Sequence, residues 1–500
     1  MNKKGKMIKI FGICIVLMLF FTVFVPGITV GVDDVDGPGC SKDPEDSGES
    51  GQIPSGEYLI ITHPHFENSI LPLAEWHNKE GLKTEILSID TDNPINIKEI
   101  ITTHFQERNL QYVLLVGDVE YIPIYYWDGI PSDYWYACIT GGANPDLYAD
   151  IAVGRISANS SIQVENQVAK ILIYEKNPPM DNWFKNILLV ADKGDGHSCS
   201  ETYFRDKKEI IRTDLIDESI YSIITAYEPG PVLPELPTYP EYEPLSSREI
   251  DLSDLIDPLE DGCNIINYFG HGFVDSWGFC GGFYIEDIYS LENGNYTPIV
   301  FNIACLTHKI DNDNECLGEA FMNKYPGGAI ASLGGSGIMD GFKAAYEDYE
   351  FFRQIFHFSN YRIGLIIKEG LTCSMNEYPF FVNNCKKYIL LGDPATEIWT
   401  DIPSTLEVSY PSVVRLCIDQ PVSFTVHVGD DAGNVDNATV CLWKDDEIYL
   451  INTTNSDGYA TFNLSPSTTG TMFTTISKHN YIPYEGEVNI ETMQVTVFTQ

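Results

Sequence analysis

Asn264-Ile-Ile-Asn-Tyr-Phe-Gly-His-Gly272, Ile299-Val-Phe-Asn-Ile-Ala-Cys305 and Gly328-Ala-Ile-Ala-Ser-Leu333 are the three runs that decide how this chain folds. Each is short, apolar and rich in β-branched or aromatic residues, and each gives way to glycine or a polar residue. That is the pattern of a strand buried on both faces of a parallel sheet. The first two runs end on one reactive side chain apiece, His271 and Cys305.

Parallel neighbours need a crossover of a dozen or more residues, and Gly272 to Pro298 is long enough to supply one, with a helical turn over Ile285 to Leu291. Both reactive residues then fall at the carboxyl ends of adjacent strands, where open α/β sheets place their sites. A thiol there attacks as thiolate, and an imidazole one strand away removes its proton or lowers its pKa. Gly270 and Gly272 let the backbone approach a substrate closely, and the amides of Gly272 and Cys305 are candidates for facing a developing oxyanion.

These residues resemble the gingipain family of cysteine peptidases. The resemblance rests on Asn267-Tyr-Phe-Gly-His-Gly, Asn302-Ile-Ala-Cys, Cys316-Leu-Gly-Glu-Ala-Phe and Gly328-Ala-Ile-Ala, taken in order. Upstream, Leu114-Leu-Val-Gly-Asp, Ser132-Asp133, Pro145-Asp146 and Val153-Gly-Arg-Ile agree, as does Leu390-Leu-Gly-Asp-Pro downstream. It spans roughly residues 56 to 402 and implies a caspase-like α/β peptidase unit in two subdomains, 56–178 and 179–402. By the family pattern His271 is the general base, Cys305 the nucleophile and Asp192 a supporting acid, with Asp195 as its competitor. The resemblance also implies a substrate pocket with an acid and an aromatic, for which Glu201 and Trp277 are the candidates; the lid tryptophan of the best-known members has no counterpart near Ser336 to Met339. The chemistry it implies needs no cofactor, and its substrates are proteins or peptides.

Rival readings exist for several groups. Cys316 is a second candidate nucleophile, but it opens an apolar helical stretch and reads as a buried thiol. His308 lies three residues from Cys305 without a strand to position it. Asp311, Asp313 and Glu315 form a dense run of oxygen ligands that suits a structural calcium, although Cys316 stands where an EF-hand needs glycine. Asp118, Asp133 and Asp146 are cation candidates weighed against turn and capping roles. His63 and His65 lack a third ligand, and His197 with Cys199 lacks the four of a zinc site. The glycines at 334, 335 and 337 lack the Lys-Ser/Thr of a phosphate cradle.

With 500 residues, two or three folded units are expected, and 44% hydrophobic residues can bury a substantial core. A formal charge of -42 excludes a nucleic-acid partner, whose phosphates require a basic face. Residues 1–31 read as a signal peptide or N-terminal anchor, with Lys3, Lys4, Lys6 and Lys9 before the apolar run Ile10 to Val25, which predicts export and a cell-surface or membrane attachment through the N-terminus. Residues 32–55, rich in Asp, Gly, Pro and Ser, form an acidic flexible linker. Residues 228–247 read as a surface loop.

From Leu406 the pattern changes to period-two alternation broken by turn signals, predicting an immunoglobulin-like β-sandwich over 405–495. Cys417 and Cys441 are a candidate disulfide within it. Two further functional readings stay open on sequence: a transpeptidase or sorting enzyme of the same fold, and a cell-surface binding protein with an inactive peptidase unit.

Overall fold

The computed structural model describes residues 57–140, 147–194, 203–228, 249–279, 281–416 and 421–492. The signal segment and acidic linker, Asp146, Asp195, His197, Cys199, Glu201, the 229–247 stretch, Cys417 and the final run from Met493 lie outside these residues. No helix among the described residues is long and apolar enough to cross a membrane.

The first half alternates strand and helix: β1 (Glu57–Thr62), α1 (Glu67–Glu80), β2 (Thr84–Ser88), α2 (Pro94–Glu107) and β3 (Leu110–Val116). A small hairpin, β4 (Tyr125–Trp127) with β5 (Ile130–Ser132), and a short helix α3 (Tyr134–Ala137) precede β6 (Ala152–Ile156) and α4 (Ser161–Lys176). Local chemistry sets the bounds. Gly81 stops α1 in the left-handed conformation at φ 102°, and Ser160 caps α4 by accepting from the Gln163 N–H.

The second half contains β7 (Asn186–Ala191), α5 (Tyr203–Leu215), β8 (Ser222–Tyr227), α6 (Ser253–Asp261) and β9 (Ile265–Phe269). A two-residue hairpin, β10 (Ser276–Trp277) with β11 (Phe283–Tyr284), and α7 (Ile285–Ser290) fill the crossover to β12 (Ile299–Ile303). Then come α8 (Leu317–Asn323), β13 (Ala331–Gly335), α9 (Gly341–Phe356), α10 (Ile363–Glu377) and β14 (Tyr388–Gly392).

Ten of these strands form one sheet in the order β2-β1-β3-β6-β14-β13-β12-β9-β7-β8. The burial expected of the decisive runs is present: along β12, Ile299, Phe301 and Ile303 enter one core, while Val300 enters the core on the opposite face. Within each half the strands are parallel, and β14 runs parallel to β6 but antiparallel to β13. The halves therefore point in opposite directions. The carboxyl ends of β9 and β12 thus lie at the opposite end of the strands from those of β1 and β3, which places the histidines after β1 and Cys305 at opposite ends of the sheet.

The C-terminal region is a pair of β-sheets sharing one core. β15 (Glu407–Ser409), β17 (Val422–Asp430), β18 (Gly433–Asn434) and β21 (Tyr459–Leu464) form one. β16 (Val413–Arg415), β19 (Thr439–Lys444), β20 (Ile448–Thr453), β22 (Gly470–Ser477) and β23 (Tyr484–Glu491) form the other. Phe424 and Phe462 from the first sheet meet Val440, Met472 and Val488 from the second. This pair of sheets is fastened to the α/β part. His479 stacks on Tyr361 at 3.5 Å between ring centroids and bonds to Glu397 and Thr400, and Glu485 pairs with both Lys79 and Lys176. Cys441 is a free thiol whose Sγ donates to the Asn78 carbonyl on α1, which corrects the expected disulfide with Cys417.

Candidate active site

The register of β9 against β12 sets the two reactive residues just beyond the ends of neighbouring strands. Phe269 is the Cα partner of Ile303 in a parallel pair, so His271 and Cys305 each follow two residues beyond matched positions on neighbouring strands. The approach is close. A Cβ on Gly272 would stand 2.6 Å from the Cys305 carbonyl oxygen and 2.8 Å from the Ala304 Cβ. Only glycine lets the two strand ends converge this far.

Three groups fix the His271 backbone. Its N–H donates to Asp192 Oδ2 at 3.1 Å, and its carbonyl accepts from the Tyr268 hydroxyl at 2.5 Å and from the Gly278 N–H at 2.8 Å. The ring meets Phe204 of α5 edge-on at 5.4 Å. Nε2 is buried and has no hydrogen-bond partner among the described residues, which leaves it available to a proton. Asp192 follows β7, and Gly270 makes room for it: a Cβ there would lie 2.3 Å from the Asp192 Cβ. Burial raises the Asp192 pKa, and the N–H groups of His271 and Lys193 oppose that rise. Asp192 thus accepts from two backbone N–H groups, His271 on Oδ2 and Lys193 on Oδ1 at 2.6 Å, and its contact with His271 is a positioning one.

Cys305 is half-buried, beyond the end of β12. Its Sγ accepts from the Met339 N–H at 3.3 Å. Burial pushes the thiol above its ordinary value, against the pull of that N–H and of the Lys387 ammonium. The resting group is a thiol that needs a base. Leu306, the next residue, sits at φ 60° in the left-handed region, a strained placement for a branched side chain at the reactive turn.

The Gly272 amide is not used in the pairing of its own hairpin. Gly278 N–H donates to the His271 carbonyl and Phe273 N–H to the Ser276 carbonyl, which frames Gly272 and Trp277 as a non-hydrogen-bonded antiparallel pair. In such a pair both N–H groups point away from the ribbon.

Other expected residues are placed differently. Trp277 is 1% exposed, stacked between Tyr268 and Phe283, and its Nε1 donates to Asn302 Oδ1 at 2.8 Å. It belongs to the core beneath the site and is not a pocket wall. Asp311 accepts from Lys309 and Tyr126, whereas Glu315 accepts from Tyr289 and Asn323. Their carboxylates are drawn apart, and among the described residues no group of three potential ligands gathers for a metal, so Asp311, Asp313 and Glu315 do not form the expected calcium site. Asp133 is consumed by a two-pronged pair with the fully buried Arg155, and Asp118 by Ser157 and Asn159.

The rivals are disposed of by burial. Cys316 is buried and its thiol is pushed well up. His308 is fully buried with its ring wedged against Gly318 and Gly334, and burial depresses its pKa to about 3, so it stays neutral. Sequence reasoning missed Met339, Tyr268, Phe204 and Lys387, which reach the site from separate elements. Asn302 carried a signal, a polar residue inside an otherwise apolar strand; it joins Trp277 to Ser332, donating to the Ser332 hydroxyl at 2.9 Å.

Fold and site together define a class: an α/β chain with a cysteine and a histidine beyond the carboxyl ends of neighbouring parallel strands. The family model described as peptidase family C25 matches residues 53–399, and the chain belongs to that family. Gingipain R1 of Porphyromonas gingivalis is 26% identical over 380 residues, covering 72% of this chain and 36% of that protein. Lys-gingipain HG66 of the same organism is 20% identical, covering 85% of this chain and 25% of its own length. This chain thus spans between a quarter and just over a third of these two curated relatives. The crystal structure of the Arg-specific cysteine proteinase gingipain R superposes with a TM-score of 0.75 at 22% identity, covering 87% of this chain and 98% of that one, which shows a shared fold.

Proposed function

We propose that this chain is an exported cysteine endopeptidase working through Cys305 and His271. The observation that carries the reading is the register that sets His271 beside Cys305, with Gly272 packed on the Cys305 carbonyl. His271 takes the Cys305 proton, and the thiolate adds to the carbonyl carbon of the scissile bond. The oxyanion forms against the Gly272 and Cys305 amides. Its collapse breaks the C–N bond, His271 returns the proton to the departing amine, and a thioester remains on Cys305. Water, deprotonated by His271, then adds to the thioester; the acid leaves and Cys305 recovers its proton. Asp192 holds the His271 backbone during both transfers.

Family membership supports the reaction class, and the basic and apolar N-terminal stretch supports export. The same reading takes the unit as caspase-like, divided at about residue 178, and the C-terminal pair of sheets as an immunoglobulin-like module. The relatives' names carry Arg and Lys preferences, but the buried Trp277 cannot contribute to a basic pocket here.

The test is a panel of acyloxymethyl ketone probes bearing Arg, Lys, Asp and neutral residues. Labelling of the wild type that disappears in Cys305→Ala and falls sharply in His271→Ala is the expected result, and the best probe names the pocket. Wild-type protein, after removal of any pro-segment, that hydrolyses no peptide and takes no probe would overturn the proposal.

A further inference from the structure

The segment that joins β13 to α9 touches the nucleophile and is gripped from two sides. Toward the site, Met339 N–H donates to Cys305 Sγ at 3.3 Å and the Gly337 carbonyl accepts from the Leu306 N–H at 3.1 Å. Away from it, the chain leading into β14 holds the same residues. Ser336 N–H donates to the Lys387 carbonyl at 2.8 Å, Lys387 Nζ donates to the Ile338 carbonyl, and Asn384 Oδ1 accepts from the Asp340 N–H at 2.9 Å. Lys387 Nζ therefore holds the far end of the very peptide, Ile338–Met339, whose N–H rests on the sulfur.

We propose that Lys387 is a positioning residue for Cys305. It locks the Gly337–Met339 turn through the Ile338 carbonyl, so that the Met339 N–H stays on the sulfur, and it sets a positive charge behind that peptide, within electrostatic reach of the thiolate. The inference rests on the reading of Cys305 as nucleophile. Its physical content is separate: a cation and an N–H donor favour the charged sulfur that burial disfavours. Lys387 faces Cys305, Glu347, Asp340 and Lys343, and burial lowers its pKa while the sulfur and the two carboxylates raise it. Cys305 faces Lys387, with His271 and the Tyr268 hydroxyl on the β9 side. Lys387 is the lysine whose charge acts on the thiol, and no carboxylate is among the groups that shift it.

The experiment reads the thiol without requiring turnover: the rate of Cys305 alkylation by iodoacetamide against pH, in wild type, Lys387→Met, Lys387→Gln and Lys387→Arg. Cys305→Ser supplies the background, and near-ultraviolet circular dichroism confirms the fold. The expected result is an upward shift of the alkylation midpoint by about one pH unit in the two neutral variants, with Lys387→Arg restoring the wild-type profile. Superimposable profiles, or an equal shift in Lys387→Arg, overturn the proposal. Should both neutral variants fail to fold, the wild-type profile at low and high salt decides. A midpoint that rises with salt supports a charge acting on the sulfur, and one that does not move sinks it. Because alkylation needs no peptide, a protein that hydrolyses nothing still answers this question.

Discussion

Gly272 and the Cys305 carbonyl oxygen leave no space for a methyl group between them, since a Cβ on the glycine would lie 2.6 Å from that oxygen. Gly272→Ala must push the β9 and β12 ends apart and tilt the amide that faces the oxyanion. Turnover should fall about a hundredfold or more, as when one oxyanion donor is lost. Iodoacetamide should still reach the sulfur, so retained alkylation beside lost hydrolysis is the outcome to seek; unchanged hydrolysis would show the glycine to be dispensable.

Asp192 touches the His271 backbone through Oδ2. If the contact positions the histidine, Asp192→Asn keeps an oxygen acceptor and most of the activity, while Asp192→Ala loses about a hundredfold through misplacement of the imidazole. Steady-state rates of the two variants separate this from a purely electrostatic role, in which both would fall together.

Trp277 and Asn302 form a buried donor–acceptor pair, and Asn302 continues to Ser332. Trp277→Phe leaves Asn302 Oδ1 without its donor and should cost about 1–3 kcal/mol of stability, read as a lower urea midpoint. The residue preference of the probe panel should not change. A changed preference would put Trp277 back in the cleft.

Stability should decline from about pH 5 to about pH 7. Burial opposes charge on His77, but Asp393 and Glu80 on either side outweigh it and raise its pKa to about 10. Its contribution is complete below about 6.5 and is lost as pH rises through about 10. Burial also raises Glu347 to about 7, Glu319 to about 7 and Glu175 to about 8. Each folded carboxyl holds a proton that the unfolded one has released, so each destabilises the fold as pH climbs from about 4.5 toward those values. Buried Lys170, Lys208 and Lys98, lowered to about 7, 8 and 8, oppose the trend only above neutrality, so thermal melts at steps from pH 5 to 7 should show a falling Tm, and a flat or rising series would contradict these assignments.

Much of the site was legible because buried parallel strands write themselves as short apolar runs, and the residues that end such runs fall at the sheet edge. His271, Cys305 and the helical crossover followed from that rule alone. Direction across the sheet was not legible: nothing in Tyr388 to Gly392 announces that it runs against β13 and with β6. Trp277 was misread because an indole a few residues beyond His271 has the same letters whether it faces solvent or stacks beneath Tyr268. The acidic run at 311 to 315 was misread because composition cannot show that Tyr126 and Tyr289 draw its carboxylates to different neighbours. Met339 and Lys387 come from loops far along the chain, and their part in the site exists only once the sheet has closed.

The closing strand gives that order a temporal meaning. β14 is the last strand of the ten to be synthesised, yet it lies in the middle of the sheet, between β6 and β13. Until residue 392 has left the ribosome, each half-sheet shows a raw edge and the turn that cradles the sulfur has nothing behind it. A nascent chain therefore carries its cysteine and histidine for dozens of residues before the turn on which Cys305 rests is backed. The architecture leaves the completion of the candidate site to the last strand of the sheet.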